Sequence, residues 1–514
     1  MNEAAQSQDE VLAFLADPQS YDAADVKTVR RIDTHAATVF LAGDRALKIK
    51  RAVRFPFLDF ATLDKRKAAC EAELAVNAPY APEIYCGVVA ITRERNGRLA
   101  IGGKGTPIEW AVEMRRFDET RTLDRLTGAI DAALADALGR AVAAAHAKAP
   151  PVEAEPWIAA LGAYIDEHAE ALSARGDILL AAAAGGLARK SREAYDRIVP
   201  LLRERGRGGF VRRIHGDLHL GNIVLIDGRP VLFDAIEFSD IIASGDVLYD
   251  LAFLLMDLVE RGLPEPANIV LNRYLAEATR WIDDLDGLAA LPFFLSMRAA
   301  IRAKVTLARM ERAPAKEQRG IAEAAAGYFA FAQRALTPGK PTLIAIGGLS
   351  GTGKSQLART LAPRVAPMPG AVIVRSDVER KARFGVGETE RLPAEAYAAD
   401  VTERVYAGLC DKAHRIVAAG HSIIVDAVFA RPEERAALAA AAQSAGVRLQ
   451  GLFLTAPLEV RLARVGGRSR DASDAGGEVA QAQEGYDIGR VDWIRIDAAG
   501  TPADTAAQVH LTLD

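Results

Sequence analysis

The octapeptide GLSGTGKS, residues 348–355, admits few folds. A strand-like apolar run, TLIAIGG, leads into it, and a helical run, QLARTLAPRV, follows it. Strand, glycine-rich loop and helix in this order form the Walker A arrangement, whose backbone N–H groups converge on phosphate oxygens at a helix N-terminus. The octapeptide therefore predicts an α/β domain with a parallel sheet and a phosphate site at the end of one strand.

Two side chains of this loop have chemistry of their own. Lys354 supplies a cation for the β and γ phosphates of a nucleotide, and Ser355 offers a hydroxyl to Mg²⁺. The glycines let the backbone N–H groups approach the phosphates closely. The residues that we expect to bind ATP here are Gly348, Ser350, Gly351, Thr352, Gly353, Lys354 and Ser355.

Carboxylates follow two further strand-like runs downstream of Pro341, where apolar runs alternate with helical stretches. Asp377 follows AVIVRS and Asp426 follows SIIV, so in a parallel sheet both emerge at the edge that holds the phosphate loop. Either side chain can hold the water shell of a metal ion or accept a proton from a substrate hydroxyl. An aspartate in this position is also a common helix N-cap.

Several arginines follow the last of these apolar runs. Arg461, Arg464 and Arg468 are three and four residues apart on a predicted helix, and Arg470 lies just beyond it. They can close over a triphosphate and stabilise the transferring charge, and the same spacing equally fits a solvated helix face. We take Arg464 and Arg468 as candidate nucleotide contacts.

From about Pro341 to Asp514 the chain resembles the P-loop small-molecule and nucleotide kinases, including the zeta-toxin and polynucleotide-kinase-like branch. The resemblance implies that Asp377, in RSDVERK, activates the acceptor hydroxyl. We therefore place Asp377 as the catalytic carboxylate, and Ser355 and Asp426 at the metal ion.

A linker, TPGKP, follows an alanine-rich helical stretch that ends near Leu336 and separates this domain from the rest. Upstream, strand-like runs fill a lobe of about residues 25–117, interrupted by one helical pattern from Thr62 to about Ala78. A helical lobe of about residues 118–337 follows and contains a strand-like island. We predict two domains, residues 1–337 and 338–514.

The island contains a second set of groups suited to phosphoryl transfer. In HGDLHLGN, residues 215–222, Asn222 lies five residues after Asp217, and two apolar runs later comes Asp234. Phosphoryl transfer needs one carboxylate to orient the acceptor hydroxyl, and an amide oxygen and a second carboxylate to hold Mg²⁺ on the phosphates. Asp217 fills the first role, and Asn222 and Asp234 fill the others.

This pattern is the catalytic loop of the protein-kinase-like fold, in a form that resembles aminoglycoside phosphotransferases, with Gly216 where protein kinases carry Arg. The resemblance spans roughly Asp25 to Leu336 and implies a bilobal α+β domain. Two features depart from protein kinases: the chain has no glycine-rich loop over the phosphates, and Ala-Ile-Glu-Phe follows Asp234.

Such a fold also needs a strand lysine for the phosphates and a helix glutamate to pair with it. In ALKIKR both Lys48 and Lys50 share one strand face, and we prefer Lys48, with Lys50 as the alternative. Glu73 is preferred to Glu71, which lies on a solvated stripe of its helix. The segment 113–117, at the end of the strand-rich lobe, is the predicted adenine contact.

Asp246, Asp250 and Asp257 form a stripe on a predicted helix whose other positions are nearly all apolar. Carboxylates on so apolar a helix rarely serve solubility alone. The resemblance places Asp250 as a buried acceptor that steadies the catalytic-loop backbone.

Three cysteines at wide spacings, Cys70, Cys86 and Cys410, exclude a disulfide framework and a paired-cysteine zinc site. We expect Cys70 and Cys86 to be small apolar core residues. His35 and His146 have no partner identifiable from the sequence and are predicted to be structural.

Composition narrows the class of function. With 64 Lys plus Arg against 68 Asp plus Glu, the chain is no nucleic-acid binder driven by bulk charge. The N-terminus is polar and acidic, and no apolar run reaches membrane-spanning length, so we expect a cytoplasmic protein without membrane contact.

These observations predict an ATP- and Mg²⁺-dependent phosphotransferase with two nucleotide-binding domains and a small-molecule hydroxyl acceptor. The alternative is that one domain is a non-catalytic nucleotide-sensing or scaffolding module that regulates the other. A macromolecular acceptor is less favoured, because no peptide-docking or basic nucleic-acid-binding segment is evident.

Overall fold

A computed structural model describes residues 8–21, 26–55, 58–179, 181–277, 281–310, 313–467 and 472–513. The chain divides into two compact units, Met1–Tyr164 with Val199–Asp257, and Ile165–Ile198 with Leu258–Asp514. This division does not follow the linker, and the domain boundary that the sequence places at residues 337 and 338 stays a prediction.

The first unit contains a strand-rich region near the N-terminus. Its strands are β1 (Val29–Asp33), β2 (Ala37–Ala42), β3 (Arg45–Lys50), β4 (Arg54–Phe55), β5 (Leu58–Asp59), β6 (Tyr85–Arg93), β7 (Leu99–Ile101) and β8 (Thr106–Arg115). Six of them form an antiparallel sheet in the order β1-β2-β3-β8-β6-β7. In β3, Leu47 and Ile49 are fully buried on one face, which leaves Lys48 and Lys50 on the other.

The helices of the region up to residue 260 are α1 (Asp9–Ala16), α2 (Leu63–Asn77), α3 (Ala132–Lys148), α4 (Ala154–Ser173), α5 (Ala181–Arg207) and α6 (Val247–Glu260). Helix α2 begins where Thr62 accepts a hydrogen bond from the Lys65 N–H group at 3.4 Å. The predicted helix over residues 62–78 is therefore confirmed, and so is the strand-rich character predicted for residues 25–117, where β2, β3, β6 and β8 lie.

The predicted island, from Ile214 to Phe238, contains β10 (Ile223–Ile226) and β11 (Arg229–Leu232), and two further short strands, β9 (Val211–Arg213) and β12 (Ser244–Asp246), flank it. Strands β10 and β11 form a hairpin. Asp227 and Gly228 form its two-residue loop with φ values of 48° and 76°, as a tight turn between right-twisted strands requires. The hairpin brings Asn222, which precedes it, back to Asp234, which follows it.

Between Leu258 and the linker, the described residues of the second unit form the helices α7 (Pro264–Glu277), α8 (Trp281–Gly287), α9 (Leu291–Met310) and α10 (Ala315–Ala335). Downstream are strands β13 (Leu343–Gly348), β14 (Val372–Arg375), β15 (Ile423–Asp426), β16 (Leu449–Thr455) and β17 (Ile494–Asp497). The helices between and after them are α11 (Lys354–Leu361), α12 (Ser376–Arg383), α13 (Ala399–Ala418), α14 (Pro432–Ser444), α15 (Leu458–Gly466), α16 (Gly477–Ala482) and α17 (Pro502–Leu513).

These five strands form one parallel sheet in the order β14-β15-β13-β16-β17. All six residues of the central strand β13 are buried, as expected for a strand covered by helices on both faces. Strand β17 was not among the predicted strands; the other four were.

Helix α7 covers the outer edge of strand β14. The side-chain nitrogens of Asn268 and Asn272 donate to the Ala371 carbonyl at 3.0 and 3.2 Å, and Asn272 Oδ1 accepts from the Ile373 N–H group at 2.7 Å. An edge strand otherwise presents unpaired backbone groups. The two asparagine amides therefore replace a neighbouring strand at this edge.

Among the residues that the structure describes, no helix is both long enough and apolar enough to cross a membrane.

Candidate functional site

In the first unit, a cavity of about 450 Å³ opens on one face of the antiparallel sheet. Strand β3 contributes Lys48 and Lys50 to its wall, the catalytic loop contributes Asp217, and the segment after β11 contributes Asp234 and Glu237. Apolar side chains, among them Phe117 and Phe233, line much of the rest. Four of the sequence-predicted groups of this domain, Lys48, Lys50, Asp217 and Asp234, therefore line one concave site.

Lys48 connects the sheet to two carboxylates. Its Nζ atom lies 2.7 Å from Oε1 of Glu73 and 2.9 Å from Oδ1 of Asp234. Burial alone would lower the pKa of Lys48, but Asp234 and Glu73 outweigh that effect and raise it well above the usual value. Lys48 is therefore a permanent cation at the cavity wall.

Lys50 occupies the second oxygen of the same glutamate. Its Nζ atom lies 2.5 Å from Oε2 of Glu73, and it also pairs with Glu237. Glu73 is fully buried, which would raise its pKa, but the two lysines lower the pKa to about 2. The preferred Lys48 and the alternative Lys50 thus both contact the predicted partner, and Lys48 alone of the two is also paired with Asp234 in the contacts described.

The catalytic loop brings Asp217 and Asn222 into direct contact. Asn222 Nδ2 donates to the backbone carbonyl of Asp217 and to its Oδ2 atom, both at 2.9 Å. Because the amide nitrogen is engaged with the loop itself, the amide oxygen is left for a cation. The Asp217 side chain is 39% exposed and lines the cavity.

Asp234 follows the hairpin in a left-handed conformation, with φ of 62°. Its N–H group donates to the Tyr85 hydroxyl at 3.2 Å. The next peptide is held by Asn77, which accepts from the Ala235 N–H group at 2.7 Å and donates to the Ala235 carbonyl at 3.1 Å. These contacts hold the carboxylate against Lys48.

Asp250 supports the catalytic loop from behind. Its two oxygens accept hydrogen bonds from the backbone N–H groups of His215 and Gly216 at 2.9 and 3.0 Å, as the family resemblance implies. Oδ2 also lies 3.2 Å from Nε2 of His146. His146 is therefore not without a partner, contrary to the sequence analysis; the two residues are 104 positions apart, so no local pattern connects them.

The other two carboxylates of the predicted stripe also have partners. Asp257 accepts from the Leu220 N–H group at 3.0 Å. Asp246 ends β12 instead of lying on the helix, and pairs with Arg205 at 2.6 Å. The three aspartates support structure rather than solubility.

In the segment predicted to contact adenine, residues 113–117, two backbone N–H groups are already hydrogen-bonded within the protein. The Arg115 N–H group donates to the Ile84 carbonyl and the Arg116 N–H group to the Asp44 carbonyl, both at 2.7 Å. An adenine edge at this segment cannot use either group.

In the second unit, the phosphate loop joins β13 to α11. Gly348, Gly351 and Gly353 have φ values of 138°, 87° and 93°, which a residue with a side chain rarely adopts. A Cβ atom on Gly351 would also lie 2.6 Å from the Arg461 carbonyl oxygen. Lys354 begins α11, and its Nζ atom donates to the Leu349 carbonyl at 3.2 Å.

The predicted metal and catalytic residues of this unit meet at the carboxyl ends of β14 and β15. Ser355 Oγ donates to Oδ2 of Asp426 at 2.5 Å, and Arg375 Nε lies 3.3 Å from the same oxygen. Asp377 is partly buried in the first turn of α12. Burial raises the pKa of Asp377, and the Asp426 carboxylate adds to this effect against the opposing Arg375.

The arginines of α15 do not act as one group. Arg461 is 1% exposed and lies beneath the loop, where its Nη1 atom donates to the Ser350 and Ala480 carbonyls at 3.3 and 3.4 Å. The prediction that Arg461 closes over a triphosphate is therefore wrong, because its guanidinium group is buried. Arg464 lines a cavity of about 300 Å³ with Gly353 and Ser355.

Arg464 is held in that wall by the Ala498 and Gly500 carbonyls at 2.8 and 2.6 Å. Its contact with a nucleotide stays a prediction. The predicted contact Arg468, and Arg470 beside it, lie outside the described residues.

Some contributors escaped the sequence analysis. Gln483 Oε1 accepts from the Ser350 N–H group at 2.7 Å and so fixes the loop from 133 residues away. Asn77 had a detectable signal, since it lies four residues after Glu73 on the same helix face. Cys86 is exposed, which corrects its expected place in the core; Cys70 is buried as predicted.

Two stretches of the chain match known protein families. Residues 28–291 match the phosphotransferase enzyme family and residues 343–486 match an AAA domain. The uncharacterized proteins Rv2004c of Mycobacterium tuberculosis and Mb2027c of Mycobacterium bovis are each 31% identical over 501 residues, covering 93% of this chain and 94% of the relative.

Two solved structures each resemble a part of the chain. A choline/ethanolamine kinase family protein from Mesorhizobium loti has a TM-score of 0.40 and 19% identity, covering 64% of this chain and 94% of that one. The Mycobacterium tuberculosis APS kinase CysC, in complex with AMPPNP and APS, has a TM-score of 0.26 and 21% identity, covering 34% and 98%.

The family matches confirm the predicted fold class, a kinase-like α+β region followed by a P-loop domain with a parallel sheet. The chain belongs to the phosphotransferase enzyme family and has a P-loop kinase domain as its second domain.

Proposed function

We propose that this protein is an ATP- and Mg²⁺-dependent phosphotransferase with two nucleotide sites, each transferring the γ-phosphoryl group to a hydroxyl of a small molecule. The observation that supports it best is that Lys48, Asp217 and Asp234 line one cavity, with Asn222 in contact with Asp217 at 2.9 Å. The cavity volume, about 450 Å³, is in the range of small-molecule sites.

In the first unit, Asp217 accepts the proton of the acceptor hydroxyl, whose oxygen attacks the γ phosphorus while the bond from that phosphorus to the β–γ bridging oxygen breaks and ADP leaves. Lys48 binds phosphate oxygens, and Glu73 keeps its ammonium group aimed into the cavity. The apolar wall near Phe117 and Phe233 excludes water from the transferring group.

The donor chemistry fits Mg²⁺. Asn222 offers an amide oxygen and Asp234 a carboxylate, both hard oxygen donors, and Mg²⁺ is usually bound by few protein oxygens together with substrate phosphates. The side chain of Asp234 is 47% exposed toward solvent, so the group is accessible. When bound, the ion neutralises charge that develops on the phosphates.

The second unit offers a matching set. Lys354 and the loop N–H groups hold the phosphates, and Ser355 and Asp426 supply two hard oxygens for a second Mg²⁺. Asp377 takes the proton of the hydroxyl that receives the phosphoryl group. The raised pKa of Asp377 makes its carboxylate a better proton acceptor.

The test uses the full chain and four variants: Asp217→Asn, Lys354→Ala, Asp377→Asn, and the double variant Asp217→Asn with Lys354→Ala. Acceptor-dependent ATP consumption is measured against aminoglycosides, sugars, nucleosides and polyols. Asp217→Asn should remove turnover of one acceptor, and Lys354→Ala and Asp377→Asn should remove turnover of another. Only Lys354→Ala should also reduce the number of ATP molecules bound at equilibrium from two to one.

Asp240→Asn is the matched control, because Asp240 is 92% exposed and pairs only with Arg213 in the contacts described. Turnover that survives in the double variant contradicts the proposal. Loss of all turnover in Asp217→Asn, with two ATP molecules still bound, favours the alternative in which the P-loop domain only senses nucleotide.

A further inference from the structure

His219 lies in the catalytic loop between Asp217 and Asn222 and has no part in the function proposed above. Its Nδ1 atom accepts a hydrogen bond from the Gly221 N–H group at 3.0 Å. A backbone N–H group can only donate, so Nδ1 has no proton, and the proton of the neutral ring is on Nε2. The loop backbone thus selects one tautomer.

The ring is also held in place by its neighbours. Phe253 packs against it edge-on, with ring centroids 5.4 Å apart. A Cβ atom on Gly221 would lie 2.9 Å from the ring atom Cε1, so any other residue at position 221 would displace the ring. The loop therefore requires glycine at position 221 for the ring of His219 to occupy this position.

The protonated nitrogen lies within ion-pair distance of the catalytic carboxylate. Nε2 of His219 lies 3.4 Å from Oδ2 of Asp217, the same oxygen that receives the Asn222 amide at 2.9 Å. Two N–H groups with fixed positions thus surround one oxygen of Asp217. Each favours the ionised carboxylate and resists its rotation.

We infer that His219 is a positioning residue for Asp217: its loop-selected tautomer directs the Nε2–H group at Oδ2 and keeps the carboxylate aligned with the acceptor hydroxyl. The inference rests on the proposed role of Asp217 as proton acceptor. It predicts that His219 affects kcat through Asp217 and leaves the binding of ATP to Lys48 unchanged.

Two substitutions separate this role from that of a loop cap. In His219→Asn, the side-chain oxygen takes the place of Nδ1 and can still accept from Gly221, but no group reaches Asp217. In His219→Gln, a side-chain N–H group takes the place of Nε2. His414→Asn, at an exposed position on α13, is the control.

We expect His219→Asn to keep the wild-type unfolding temperature and KM for ATP while kcat of the first unit falls about 10- to 100-fold, as for loss of one donor to a charged group. His219→Gln should recover part of that loss. A wild-type kcat in His219→Asn overturns the inference. Equal losses of kcat and unfolding temperature in both variants would also overturn it, because they indicate a purely structural cap.

A spectroscopic measurement tests the contact without turnover. In protein labelled with ¹⁵N at its 8 histidines, the signal missing from His219→Asn identifies His219. In the neutral ring its Nε2 should carry the proton and its Nδ1 should not, and Asp217→Asn should shift the Nε2 resonance while Asp240→Asn does not. A protonated Nδ1, or no shift in Asp217→Asn, overturns the inference; absence of turnover in the wild type with both signals as expected contradicts only the proposed function.

Discussion

The Nζ atom of Lys50 lies 2.5 Å from Oε2 of Glu73, the oxygen of that carboxylate opposite the one that Lys48 contacts. One fully buried glutamate thus joins two lysines of the same strand. Their second partners differ: Lys48 contacts Asp234, whereas Lys50 contacts Glu237. Lys50 is also the more buried of the two side chains, at 3% exposure against 16%.

These differences predict separate effects of Lys48→Met and Lys50→Met. Lys48→Met should reduce acceptor-dependent turnover of the first unit about 100-fold or more, because the phosphate cation is lost. Lys50→Met should mainly destabilise this unit, by about 3 kcal/mol, because two buried carboxylates lose a partner. Turnover per folded molecule and thermal unfolding measure the two effects. If Lys50→Met abolishes turnover at temperatures where the unit is folded, Lys50 is the phosphate lysine instead.

Gly351→Ala should abolish ATP binding by the second unit. The added Cβ would lie 2.6 Å from the Arg461 carbonyl oxygen, at a φ of 87° that alanine disfavours, so the phosphate loop must move. Gly320→Ala, in helix α10 with open space around the position, is the matched substitution and should stabilise by up to about 1 kcal/mol. An unchanged ATP-binding isotherm for Gly351→Ala would show that the loop does not hold phosphate.

Asn272→Ala should lower the free energy of unfolding of the second unit by about 2 kcal/mol. It removes an acceptor from the Ile373 N–H group and a donor to the Ala371 carbonyl, and leaves edge-strand groups without these partners. Asn272→Asp, which keeps an acceptor for Ile373 and loses the donor, should fall between the wild type and Asn272→Ala. Chemical denaturation monitored on the second unit measures the order, and equal stability of all three proteins would refute the role of α7.

The second unit should lose stability between pH 6.5 and pH 4. Burial lowers the pKa of His421 to about 4, and its Nε2 atom is bonded to the Gly370 carbonyl at 2.9 Å. The unfolded chain binds a proton at about pH 6.5, so this contribution to stability is complete above that pH and falls as the pH decreases toward 4. We expect a loss of about 2 kcal/mol between pH 7 and pH 5 from this group.

His421→Gln tests the assignment, since glutamine keeps a side-chain donor for Gly370 and does not titrate. Thermal unfolding of this variant at pH 7 and pH 5 should show a smaller difference than the wild type. His414→Asn, which changes an exposed histidine on α13, should retain the full difference. The same pH dependence in all three proteins would assign the effect to other groups.

Local patterns predicted the residues that we propose to bind or react, because phosphate chemistry requires fixed residue types at fixed spacings. Asn222 and Asp217 are five positions apart and are in contact, and Lys354 and Ser355 adjoin the strand and helix that were expected. The sequence alone could not decide between Lys48 and Lys50, because the alternation of side chains along a strand places both on the same face. Only their partners, which are distant in sequence, distinguish the two lysines.

Residues that support the phosphate loop were harder to predict, because their partners are also distant in sequence. Gln483 fixes the Ser350 N–H group across 133 positions, and Arg461 packs under the loop although its helical spacing fits a surface arginine equally well. Such contacts depend on which elements the finished fold brings together. A single sequence contains no signal for that pairing when the residue type is common.

The asparagine contacts between α7 and β14 bear on the biosynthesis of this protein. Asn272 is synthesised 101 residues before Ile373, the peptide group it accepts from. At translation rates of about 5–20 residues per second, the interval between the synthesis of α7 and that of the strand it covers is roughly 5–20 s. The helices upstream of the linker therefore leave the ribosome before their partner sheet exists, and the nascent chain can complete this region only after the P-loop strands have emerged.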